Sequence, residues 1–229
     1  MDPDLAGKRV AFLVADEGVE QSELMLPWQA VKRYGGRPEL LAPSAGRVRA
    51  MKHLDKGDTF AVDHPIHAVS ADRYVAMVLP GGVANADELR RDPDAVEFAQ
   101  AMFAAGKPVS VIGHGAWLLV EADLVEGRTL TSWPSLQTDI RNAGGEWIDA
   151  EVHVCTEGPG AIVSSRRPDD LPAFNRTLLD VFSQAANARP VDSVGLPERT
   201  DNNSLIDEAG RESFPASDPP AFNSGVSAT

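Results

Sequence analysis

The decisive stretch is Pro108-Val109-Ser110-Val111-Ile112-Gly113-His114-Gly115-Ala116-Trp117-Leu118-Leu119. Pro108–Ile112 is a short run, apolar except for Ser110, with the length and β-branched content of a buried strand. Gly113-His114-Gly115 interrupts it, and Ala116–Glu121 resumes with helical character. A strand that turns sharply into a helix has the geometry of a nucleophile elbow. Such a turn lifts one residue to the top of a sheet, on a strained backbone, beside an N–H group that can hold an oxyanion.

The same alternation runs outward in both directions. Lys8–Ala15 is an apolar run that reads as a first strand. Gln21–Tyr34 has helical apolar spacing and closes at Gly35-Gly36, and Arg37–Ala42 reads as a strand. Residues 43–72 are polar and turn-rich, with short strands expected around Phe60–Val62. Tyr74–Leu79 is a buried strand stopped by Pro80-Gly81-Gly82. Asp94–Ala105 reads as a helix capped by Asp92 or Asp94, with Gly106 past its end. Pro134–Ala143 is a short helix, and Val152–Cys155 and Ala161–Ser164 are paired strands. Asp169–Ala185 is a final amphipathic helix with Pro172 in its first turn. Apolar strands alternating with helices imply an α/β fold, a mostly parallel sheet covered on both faces. Chemistry in such sheets gathers beyond the carboxyl ends of strands. Three loops qualify: Asp16–Glu23, Gly81–Asp87 and Gly113–Gly115.

Composition narrows the class. The chain has 229 residues, with 34 acidic against 21 basic and a net charge of −13. That balance argues against nucleic acid and anionic membranes, which need Lys/Arg patches. One cysteine forms no internal disulfide and no Cys-rich metal framework, which fits a reducing compartment. No apolar run reaches the ~18 residues of a membrane span. Met1–Lys8 lacks the apolar core of a secretory signal, so a cytoplasmic setting is expected. Residues 190–229 carry seven acidic and two basic residues, with five prolines and few large apolar groups. The expectation is a body over 1–189 and an acidic, Pro-rich tail over 190–229. That tail is either disordered or an arm docking through Leu205, Ile206 and Phe214.

Several separated motifs carry a resemblance. They are GVEQSEL (Gly18–Leu24), LPGG (Leu79–Gly82), VIGHGAWLL (Val111–Leu119), GRTLTSWPSLQTDIRNAGGEWID (Gly127–Asp149) and SSRRPDDLPAFNR (Ser164–Arg176). In this order, over roughly residues 8–185, they resemble the ThiJ/PfpI family. That family comprises intracellular cysteine-peptidase-like and glyoxalase-like proteins with a class I glutamine amidotransferase-like architecture. The resemblance implies a flavodoxin-like three-layer sandwich.

It also implies roles. The family carries Cys at the elbow, where this chain has Gly113, which has no side chain to attack a substrate. Glu23 matches the acid that hydrogen-bonds the family's thiol, and Glu20 is the second acid of that pocket. Without a thiolate beside it, the reason for a raised Glu23 pKa weakens. His114 matches the residue that orients the thiolate, and Asp87 matches the acid that partners it from a neighbouring subunit. The N–H groups of Gly82 and His114 match the oxyanion hole. Cys155 reads as an ordinary strand residue, and Ser110 points into the sheet layers. His53, His64, His67 and His153 match no metal spacing, so no metal and no cofactor is expected. The expected protein is a homo-oligomer, a dimer or larger, that binds a small carbonyl compound or anion. It is catalytically degenerate and serves in stress response or ligand binding. The alternatives are an active hydrolase or glyoxalase/deglycase, should Gly113 replace a natural Cys, and a chaperone-like interaction protein.

Overall fold

Along the first strand, Val10, Phe12 and Val14 pack into one apolar cluster and Ala11, Leu13 and Ala15 into another. That alternation sets up the layers. The computed structural model describes residues 3–187; the 190–229 tail, with Leu205, Ile206 and Phe214, lies outside them. The central sheet has seven strands in the order β11-β12-β8-β7-β1-β3-β6. These are β1 (Arg9–Leu13), β3 (Arg37–Ala42), β6 (His64–Pro65), β7 (Ala76–Leu79), β8 (Val109–Ile112), β11 (Val152–Cys155) and β12 (Ile162–Ser165). Every pairing is parallel except β11 with β12.

Helices α1 (Gln21–Arg33) and α6 (Leu171–Asn187) cover one face through Leu24, Val31, Phe174, Leu178 and Phe182. Helices α2 (Val83–Leu89), α3 (Pro93–Ala104), α4 (Ala116–Glu121) and α5 (Gln137–Asn142) supply Leu89, Phe98, Met102, Leu118 and Ile140 to the other. The result is the expected three-layer α/β sandwich. Asp92 is the residue that caps α3, its Oδ1 accepting from Ala95 N at 2.9 Å.

Three local expectations are corrected. Residues 43–72 hold a long hairpin, β4 (Arg47–Lys52) and β5 (Asp55–Ala61), more regular than the short strands expected around Phe60–Val62; β5 includes Phe60. Arg47 and Arg49 face out while Val48 and Ala50 pack inward, so β4 does carry a period of two. β5 has little apolar content and is held by pairing and by Gln21. The Gln21 amide donates to Asp58 Oδ2 at 2.7 Å and accepts from Asp58 N at 2.8 Å. The loop after the first strand contains β2 (Glu17–Glu20), which joins this hairpin in a separate three-stranded sheet. The segment Gly81–Asp87 is mostly helix rather than loop, because α2 starts at Val83. A further pair, β9 (Thr129–Leu130) and β10 (Glu146–Trp147), forms a small parallel sheet.

The site follows from this topology. Because β1, β7 and β8 are parallel neighbours, the segments leaving their carboxyl ends emerge on one edge of the sheet. Asn85, fully buried on α2, ties two of them together. Its Oδ1 accepts from Ala15 N at 2.8 Å, and its Nδ2 donates to the carbonyls of Pro80 and Gly81 at 3.1 and 3.2 Å.

Candidate functional site

The site is built around Glu23, in the first turn of α1. Glu23 is only 4% exposed, and its Oε2 accepts from Gly81 N at 2.7 Å. Gly113, at the end of β8, lies directly opposite. Its φ is +63°, the left-handed region that favours glycine. A Cβ placed there would sit 3.1 Å from both Glu23 carboxyl oxygens. The turn after β7 is tighter still, since a Cβ on Gly81 would clash with Glu23 Oε2 and lie 3.0 Å from His114 N. Three chain segments therefore converge on one carboxyl group.

Burial pushes the Glu23 carboxyl up to about 8. The Gly81 N–H pulls it partly back, and the Glu20 carboxylate adds repulsion. Glu23 is therefore neutral at pH 7, with burial the largest cause and no thiolate among the causes. This corrects the expectation that the shift depends on a neighbouring thiolate.

His114 stands beside this group. Its ring makes an edge contact with Trp117 at 5.4 Å and stacks on Trp133 at 5.8 Å. Its Nε2 lies 3.4 Å from Ser135 Oγ. Burial lowers its pKa, so the imidazole is neutral at pH 7. Trp133 N donates to Gly113 O at 3.1 Å, which fastens the Trp133–Ser135 segment to the elbow.

The expected residues divide into two groups. Glu23, Gly113 and His114 come together, and Gly82 follows Gly81 at φ +96°. Glu20 turns away. Its carboxylate accepts from His53 N at 2.9 Å and from Ser22 Oγ at 3.2 Å, so it braces the hairpin turn and touches Glu23 only through its charge. Asp87 does not bond His114 within the chain. It lies on α2, 57% exposed, and pairs with Arg90 at 3.4 Å. The Arg90 guanidinium lies 5.1 Å over the Trp117 ring, so among the described residues these two side chains link Asp87 to His114.

Cys155 is buried on the α3–α4 face, at the amino end of the β8 register, through Ile162 and Val109. Its thiol donates to Glu157 Oε2 at 2.8 Å, and burial raises its pKa. Among the described residues, Ser110 Oγ is buried without a hydrogen-bond partner. Sequence reasoning missed Asn85, Trp133 and Ser135. A polar Asn among the apolar positions of α2 was the available signal for the first. No pattern marked the other two. Among the described residues, no group of three or more His, Cys, Asp or Glu side chains is placed to hold a metal ion. No helix among them is long and apolar enough to cross a membrane.

This architecture, with an acid-backed elbow at the carboxyl edge of a parallel sheet, places the chain in the DJ-1/PfpI family, whose model matches residues 8–181. A deglycase of Pyrococcus abyssi is 43% identical over 175 residues, covering 76% of this chain and 99% of that protein. Protein/nucleic acid deglycase 2 of Escherichia coli is 38% identical over 173 residues, covering 75% and 96%. Among solved structures, a two-domain protein of Anabaena variabilis with DJ-1/ThiJ/PfpI-like and ferritin-like domains matches with a TM-score of 0.70 at 26% identity. The match covers 82% of this chain and 52% of that one.

The raised carboxyl has a measurable consequence. The unfolded chain releases the Glu23 proton near the ordinary 4.5, whereas the folded chain holds it to about 8. Within that window the native state binds the extra proton, so stability falls as pH rises through it. Glu23→Gln keeps an acceptor for Gly81 N–H and abolishes the titration. Its stability relative to the parent should therefore increase steadily across the window and level off above it. Urea unfolding at steps of pH measures this, and a constant difference would contradict the assignment.

Proposed function

We propose that this DJ-1/PfpI-family protein is a disarmed relative of the deglycases. It binds a small carbonyl compound or anion at the elbow and performs no thiol chemistry there. Its carrying observation is Gly113: a glycine at φ +63° facing a neutral Glu23 carboxyl, where an added Cβ would crowd both carboxyl oxygens at 3.1 Å. Thiol catalysis in this architecture needs a sulfur at the elbow, and glycine supplies none. The N–H groups of Gly82 and His114 belong to the backbone and do not depend on the side chain at 113, so anion recognition outlasts the nucleophile. The deglycase names of these two relatives favour a carbonyl ligand. That ligand class points to a role in carbonyl stress.

The test is Gly113→Cys. Methylglyoxal consumption should rise roughly 10³-fold or more over the parent, the scale on which a nucleophile matters. The variant should also be less stable by about 1–3 kcal/mol, because a side chain at positive φ is strained. Equal and robust consumption by the unmodified protein would sink the reading.

We further infer a homo-oligomer, at least a dimer, in which Asp87 of one copy reaches His114 of another. The exposure of Asp87 and its lack of an in-chain bond to His114 favour this arrangement. Light scattering at micromolar concentration should return a multiple of the 24.5 kDa chain mass. A monomer contradicts the inference.

A further inference from the structure

We propose that Ser135 and His114 form a serine–histidine acyl-transfer pair, giving the protein an esterase activity toward small activated esters that owes nothing to position 113. Ser135 Oγ lies 3.4 Å from His114 Nε2, the longer separation common in unliganded pairs of this type. The imidazole is held between Trp117 and Trp133. Ser135 is exposed, so a substrate can reach it.

The serine sits on a fixed support. Trp133 N donates to Gly113 O at 3.1 Å, and Leu136 N donates to Trp133 O at 3.0 Å. Leu136 is fully buried in the core. Just upstream, Thr131 N donates to Ser164 Oγ at 3.0 Å, and Ser132 Oγ accepts from Trp147 Nε1 at 3.0 Å. Both sides of Ser135 are thus anchored, which preorganises a nucleophile beside its base. Trp133 is 39% exposed and offers a flat apolar surface next to Ser135. That surface suits an aryl ester.

The step balances without a cofactor. Ser135 Oγ attacks the ester carbonyl carbon while His114 Nε2 accepts the hydroxyl proton. The bond to the leaving alcohol breaks, His114 returns the proton to it, and an acyl-serine remains. Water then attacks the acyl carbon, again giving its proton to His114. The carboxylic acid departs, and the proton returns to Ser135.

The experiment uses a fluorophosphonate probe and p-nitrophenyl acetate on the whole chain. Tandem mass spectrometry should place the phosphonyl group on Ser135. Ester hydrolysis should fall about 100-fold in Ser135→Ala, with circular dichroism unchanged. His114→Gln should lose the label as well. Absence of label from Ser135, unchanged hydrolysis in Ser135→Ala, or a label on Ser135 that persists in His114→Gln would each overturn the pair. None of these outcomes bears on the Gly113→Cys comparison, so the two readings fail separately.

Discussion

The interaction on which the site depends is the hydrogen bond from Gly81 N to the buried carboxyl of Glu23. It joins the first turn of α1 to the turn after β7. The same carboxyl backs the turn after β8, where it faces Gly113. A charged group in that position would be desolvated with a single backbone donor for compensation. Protonation resolves the conflict, and burial is the largest cause of the shift. The neutral acid is therefore a property of the scaffold. It needs no thiolate to explain it.

This separates support from chemistry. Asn85 ties the end of β1 to the turn after β7, and Trp133 ties its own segment to the elbow. Glu20 and Asp87, both expected in the pocket, serve other contacts within the chain: the hairpin turn at His53 and the Arg90–Trp117 stack. The convergence of Glu23, Gly81 and Gly113 rests on main-chain geometry, which glycine at 113 accommodates without strain.

Much of the sheet was legible in the sequence because its strands are short apolar runs bounded by Gly or Pro. KRVAFLVA, YVAMVL and PVSVI each announce a strand buried on both faces. The hairpin of β4 and β5 was harder, since β5 is polar and its stability comes from pairing and from Gln21. Helix α2 was hidden because it opens on Gly82 with no side-chain cap and is only seven residues long. Glu23, His114 and Gly113 were legible through motifs. The directions taken by Glu20 and Asp87 were not, because a carboxylate's partner depends on distant segments folding beside it. Ser135 was invisible for the same reason: its neighbour His114 is 21 residues away.

The most direct test of this account is the protonation state of Glu23 itself. A carbon-13 NMR titration of glutamate side-chain carboxyls, assigned by comparison with Glu23→Gln, reads that state in the unmodified protein. The account predicts one carboxyl that stays neutral through pH 7 and titrates near the value of about 8 that its burial imposes. A Glu23 signal that titrates in the ordinary carboxylate range would contradict it.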